Sequence, residues 1–291
     1  MTLNLRADLT YDFASPCETL LLIEAAHGPD QTVLSESLVI EPPADVVRRD
    51  DRQSGERRVV FTASGRVRIV YEAAVAVHRA ARPLASAAQS AIRDLPADVL
   101  RYLRPSRFCP SDRFERFVGR EFGQAAGGAR VEAILDWIAG HVDYEPGVSD
   151  AGTTALSTFA DRAGVCRDFM HLAIALFRAG DIPARAVSAY AWKLDPPDLH
   201  AVAEVFVGGA WRLVDPTGKA PIEGLVRVAT GLDAADIAFM SVFGTAELVA
   251  QTFEVEARAG PTRETQTGPA GWGSSVGHTA PEGPRAASPH R

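Results

Sequence analysis

The sequence predicts an α+β protein in which an antiparallel β region precedes a core that mixes helices and sheet. Three observations carry this expectation. Over the first 80 or so residues, apolar and polar side chains alternate in short runs, as in strands with one buried face. Beyond residue 82 the apolar spacing lengthens to three and four, the period of amphipathic helices. After Pro183 the pattern returns to strands. With 291 residues, 46% hydrophobic and 23% charged, the chain has apolar material for one large core or two smaller ones.

Each element follows in order. LNLRADLTYDF, ETLLLIEAA and QTVLSESLVIEP read as strands separated by turns such as His27-Gly28-Pro29-Asp30. RRVVFTASGRVRIVYEAAVAVHR reads as a hairpin turning at Ser64-Gly65, which completes an N-terminal β domain over 1–82. Residues 83–110 read as a connector with a short helix over 97–103. The core is expected over 111–258. It opens with helices over 112–122 (Phe114, Phe117, Val118, Phe122), 129–142 (Val131, Ile134, Leu135, Ile138) and 153–162. The helix in GVCRDFMHLAIALFRAG places Phe169, Leu172, Ala173, Leu176 and Phe177 on one face. Strands ARAVSAYAW, HAVAEVFV and AWRLVDPT follow, the last two joined by a turn at Gly208-Gly209, and a further unit fills 225–256. From 259 to 291 Gly, Pro, Ser and Thr dominate, so a disordered tail is expected, in which Trp272 and His278 carry no chemistry.

Charge and cysteine usage narrow the function. A net charge of −7 argues against nucleic acid or an anionic membrane as partner. No apolar run approaches the ~20 residues that span a bilayer, and MTLNLRADLTYDF has no basic region followed by an apolar block. A cytoplasmic location is therefore expected. Cys17, Cys109 and Cys166 are odd in number, scattered and without zinc-site spacing, and no EF-hand loop is present. No metal or cofactor is expected.

One cysteine stands out by position. Cys166 opens a helix, where unpaired N–H groups and the helix dipole favour a thiolate, and its own N–H can face a developing oxyanion. The ordinary alternative is a buried structural thiol. A reactive thiol needs a base. At about 100° per residue, neither Asp168 nor His171 shares the face of Cys166. Asp168 is expected to cap the first turn, and His171 to pack beneath the site. His200 begins a strand next to the loop LDPPDL, and Asp215 ends the next strand. A hairpin about Gly208-Gly209 puts His200 level with Pro216 or Thr217 and brings Asp215 within side-chain reach. Such a carboxylate can orient an imidazole and stabilise its cation. Asp198 and Glu204 read as solvated, Trp192 as packing, Cys109 as packed at the domain junction, and Cys17 as lying in a turn.

GVCRDFMHLAIALFRAGDIPARAV, DLHAVAEVFVGGAWRLVDPTG, their order, and the segments RYLRPSRFCPSD and DYEPG resemble the bacterial branch of the transglutaminase-like superfamily. The resemblance implies an N-terminal β region before a papain-like, transglutaminase-like α+β catalytic core. It also implies Cys166 as nucleophile, His200 as base and acid, and Asp215 as orienting group. Tyr144, in DYEPG, matches an aromatic near the nucleophile, and its hydroxyl can donate to the oxyanion. Val202 departs from the pattern, where many members have Trp.

The expected activity is a thiol-dependent hydrolase, a cysteine peptidase or amidase, acting on peptide or protein substrates through a thioacyl intermediate. Two alternatives stay open: amine transfer in place of water, which makes a protein-glutamine transamidase, and a non-catalytic binding module.

Overall fold

A computed structural model describes residues 1–51, 54–79 and 83–258. In chain order its strands and helices are β1 (Thr2–Leu21), β2 (Gln31–Glu41), β3 (Val47–Asp50), β4 (Arg57–Val77), α1 (Ala97–Leu100), α2 (Glu115–Glu121) and α3 (Gly127–His141). Then come β5 (Asp143–Tyr144), α4 (Ala155–Asp161), β6 (Ala163–Gly164), α5 (Cys166–Ala179), β7 (Ala184–Ala191), β8 (Leu199–Val207) and β9 (Ala210–Val214). The last are β10 (Leu225–Gly231), α6 (Ala234–Ile237), β11 (Met240–Val242) and β12 (Ala246–Ala257). The expected tail over 259–291 lies outside the described residues. Among the described residues no helix is long and apolar enough to cross a membrane.

The first sheet is antiparallel and centres on β1 and β4. Alternation along β1 buries Leu3, Leu5, Ala7, Leu9 and Tyr11. Its other face meets β4 through the ion pairs Arg68–Asp8 and Arg66–Asp12, exposed contacts that contribute little each. Two features differ from the sequence reading. Ser64-Gly65 is not a turn: β4 runs straight through it. Gly65, with φ +64°, lies opposite Phe13, where the β1 register shifts before Cys17 pairs with Ala63. The positive φ supports a bulge that bends the strand without reversing it, and Cys17 sits in a strand. The second difference concerns the C-terminal part of the expected 111–258 core. β12 pairs with β1 from Leu3↔Ala257 to Phe13↔Ala246, and β11 pairs from Thr19↔Val242. β4 covers only one edge of β1; β12 covers the other and buries Phe253 on the inner face.

The second sheet is antiparallel in the order β10-β7-β8-β9. Gly208 and Gly209, with φ +63° and +74°, make the tight β8–β9 turn. Helix α5 packs on β7 and β8, with α2, α3 and α4 against it. It was expected to bury one face, yet every residue from Asp168 to Arg178 is buried. It is the central helix of the core, and Arg178 is tolerated there because its guanidinium donates to the carbonyls of Ala184, Arg104 and Leu232.

The two sheets meet along β10 and β7. The Ala26 N–H donates to the Arg227 carbonyl at 2.9 Å, and the Tyr190 hydroxyl to the Ile23 carbonyl at 2.8 Å. Buried Arg227 donates to Asp30 and to Glu204, and Arg79 bonds Asp30 and Gln31. Glu204, expected to be solvated, is thus fully buried between Arg227 and Arg185. A buried carboxylate requires such partners.

Candidate active site

Cys166 sits at the first turn of α5 because the chain enters that helix tightly. Asp168 Oδ2 accepts the Val165 N–H at 2.9 Å and closes the turn. Gly164 is needed for packing, since a Cβ there would stand 2.7 Å from the Asp168 Cβ. Arg167 in turn donates to Asp168 Oδ1. Asp168 is fully buried and faces away from solvent, so its part is to shape the turn that presents the thiol.

Tyr144 reaches Cys166 through the short parallel pair β5–β6, in which Tyr144 aligns with Gly164 and the Glu145 N–H donates to the Gly164 carbonyl at 2.9 Å. Its hydroxyl lies near enough to Cys166 for the thiol and the backbone N–H to act on it. Burial and the nearby Cys166 charge together push its pKa up, outweighing the backbone N–H of Cys166.

β8 carries His200 and the segment after β9 carries Asp215. The observed pair Ala203↔Val214, extended toward the strand end, puts His200 level with Thr217, as the hairpin geometry predicted. His200 Nε2 lies 2.9 Å from Asp215 Oδ2, and both side chains are almost wholly buried, 1% and 2% exposed. Burial opposes charge on the ring. The Asp215 hydrogen bond, the Cys166 thiol and the charges of both outweigh it and push His200 up to about 10. Nδ1, the ring atom left for the thiol, has no aligned hydrogen-bond partner among the described residues. Cys166 is near enough to act on the ring, in the loose geometry common before substrate binds.

Asp215 is held from several sides. Its Oδ1 accepts the Thr217 N–H at 2.9 Å and the Thr217 hydroxyl at 2.8 Å; its Oδ2 accepts the Ala220 N–H at 3.0 Å. Burial alone would raise its pKa. The hydrogen bond and charge of His200 and the Thr217 donors bring it below the ordinary carboxylate value. Thr217 Oγ1 also lies 3.3 Å from His200 Nε2. Sequence reasoning missed Thr217, although an Asp two residues before a Thr in a Pro-Gly turn is the pattern of a side chain closing onto its own backbone.

Other sequence expectations resolve as follows. His171 is fully buried under the site and stacks on Phe108; its Nε2 accepts the Ala234 N–H at 3.1 Å, while Nδ1 has no hydrogen-bond partner among the described residues. Burial lowers its pKa to about 4, so it stays neutral. Asp198 is exposed, yet packed enough at its inner side that burial raises its pKa, and its charge acts on Tyr144. Trp192 packs against the core beside Gly224. Cys109 is buried, with its thiol pushed up to about 12 by that burial.

A thiol at a helix start beside a carboxylate-bound imidazole, on an α+β core with an added β-sheet, defines the class as a thiol-hydrolase-type fold. The sequence profile of the Transglutaminase-like superfamily matches residues 116–216. The structure of a candidate cysteine protease from Cytophaga hutchinsonii is 34% identical in sequence, with a TM-score of 0.88 over 96% of this chain and 98% of that one. The chain belongs to the transglutaminase-like superfamily. It is also 30% identical over 146 residues to an uncharacterised protein of Mycobacterium leprae, a match over 47% of this chain and 52% of the relative, so it spans about half that relative's length. The periplasmic domain of TgpA from Pseudomonas aeruginosa is 18% identical over 75% of this chain and 88% of that one, with a TM-score of 0.41.

Proposed function

We infer that the protein is a cysteine peptidase or amidase that hydrolyses amide bonds with Cys166 as nucleophile, His200 as proton carrier and Asp215 as orienting carboxylate. The observation that carries this reading is the buried His200–Asp215 contact of 2.9 Å, with Cys166 acting on the same ring.

An imidazolium beside the thiol favours the thiolate. Cys166 Sγ attacks the amide carbon, and the carbonyl π pair moves to oxygen. This reading assigns the Cys166 N–H and the Tyr144 hydroxyl as the donors to this oxyanion. In the free protein Tyr144 lies near that N–H, and its 37% exposure leaves room for it to turn toward the substrate. As the tetrahedral species collapses the C–N bond breaks, and His200 gives its proton to the departing nitrogen. Neutral His200 then takes a proton from water, whose oxygen attacks the thioester. The C–S bond breaks, and acid and free thiolate result, with His200 again charged. Asp215 stabilises the imidazolium in both halves without taking a proton. Peptides or proteins are the substrates of this reading.

The test is twofold. Iodoacetamide should label Cys166 readily below about pH 7 in the wild type, and His200→Ala should remove that low-pH reactivity. An amide-substrate library should then give products by mass spectrometry that Cys166→Ala abolishes. Equal labelling profiles in both proteins would refute the thiol–imidazole pair and favour a non-catalytic binding module.

A further inference from the structure

Lys193 and Lys219 are the only lysines in the chain; Lys193 follows β7 and Lys219 follows β9, strands of the sheet that carries His200. Lys219 lies just past the turn that Thr217 closes, and its N–H donates to Thr217 Oγ1 at 3.2 Å. Its ammonium sits 4.2 Å from the centre of the Tyr144 ring. The hydroxyl of that ring lies near enough to Cys166 for its thiol and backbone N–H to act on it, and Tyr144 pairs with Gly164 two residues before Cys166. Lys219 is exposed, and among the described residues no carboxylate lies within ion-pair distance of it. Many arginines of this chain are held by Asp or Glu; among the described residues, this ammonium rests on an aromatic face. An ammonium over a ring keeps donors free on its outer side.

We propose that Lys219 receives a carboxylate of the substrate, placed one or two residues from the amide that Cys166 attacks. This rests on the amide-hydrolase reading above and names the class of substrate it takes. The reach follows from the contacts: the ammonium over the Tyr144 ring and the thiol that acts on its hydroxyl are separated by one tyrosine side chain, about two to three extended residues. Asp198 lies in the loop before His200 and its charge acts on Tyr144 and with His200. It repels a carboxylate on its own side. An acidic substrate group is therefore accepted on the Lys219 side, next to Tyr144. Two sources supply this chemistry: the C-terminal carboxylate of a short peptide and the side chain of Asp or Glu.

The experiment compares alkylation of Cys166 by iodoacetate and by iodoacetamide, reagents of nearly equal size that differ in charge. Both read the same thiolate, so their rate ratio cancels any change in its ionisation. Peptide mapping separates Cys166 from the buried Cys17 and Cys109. A unit charge about 7–9 Å away at an effective dielectric of about 40–80 predicts a ratio roughly two- to sevenfold higher in the wild type than in Lys219→Gln. Lys219→Arg should retain the ratio, and added salt should lower it. An unchanged ratio in Lys219→Gln overturns the proposal, whereas loss of the His200-dependent iodoacetamide rate overturns the hydrolase reading instead. Protection of Cys166 by three peptides separates the sources. Acetyl-Ala-Ala with a free carboxylate reports the C-terminal group, acetyl-Ala-Glu-amide reports the side chain, and acetyl-Ala-Ala-amide is the neutral reference. No preference for either charged peptide over the neutral one overturns the proposal.

Discussion

Raising the pH should destabilise this protein through one imidazole. In an unfolded chain His200 titrates near 6.5; in the fold its pKa is about 10. A group whose folded pKa is raised stabilises fully below the unfolded value and loses that contribution as pH rises through the folded one. The gap, at about 1.4 kcal/mol per pH unit, sets a ceiling of about 5 kcal/mol at low pH. Most of it, about 4 kcal/mol, is present at pH 6.5 and about 1 kcal/mol at pH 9, a loss of about 3 kcal/mol. Asp215 acts in the opposite direction: its lowered pKa stabilises above the ordinary carboxylate value and is lost in acid. Urea denaturation followed by tryptophan fluorescence, at steps between about pH 6.5 and 9, measures the slope. Asp215→Asn removes the partner that holds the proton, so its slope should be flatter, and the difference between the two proteins cancels groups common to both. Equal losses in wild type and variant would refute the reasoning.

Three further outcomes are expected. Thr217→Val removes the hydroxyl that donates to Asp215 at 2.8 Å and touches His200; turnover should fall about tenfold, with Thr217→Ser restoring it, and a steady-state rate series checks both. Gly164→Ala drives a Cβ to 2.7 Å from the Asp168 Cβ and should cost about 1–3 kcal/mol in a urea titration, with slower labelling of Cys166 as its turn is displaced. Arg227→Met leaves Asp30 and Glu204 short of a buried cation and should cost about 3–5 kcal/mol, read as a fall in melting temperature.

Much of the site was legible because its parts lie in local patterns. A helix start with Gly and Cys, a strand beginning in His and a Gly-Gly hairpin are all short-range signals, and the hairpin carries its own register. From the turn alone, the distance between His200 and Asp215 followed to within one residue. The first sheet was less legible because its strands pair over long separations. β1 meets β12 some 240 residues away, and no alternation within β12 reveals that partner. Ser64-Gly65 misled for a related reason: a positive-φ glycine serves a turn and a bulge equally, and only the opposing strand decides. Glu204 misled because a single Glu in a strand reads as solvated unless the cations that meet it are known, and Arg227 is 23 residues on.

That network also links the N-terminal sheet to the candidate site. His200, Val202 and Glu204 alternate along β8 and share one of its faces. At one end His200 must hold its ring against Asp215 and toward Cys166. Farther along, Glu204 is fixed by Arg185 on β7 and Arg227 on β10, and Arg227 is fixed by Asp30 from the N-terminal region. A slip of β8 by one residue would turn His200 away from the site and Glu204 into an apolar environment at once. Hydrophobic packing alone tolerates such slips at small cost, whereas a buried carboxylate between two guanidinium groups does not. The buried ion network thus selects the register in which the imidazole meets the thiol, and the N-terminal sheet supplies one of its charges.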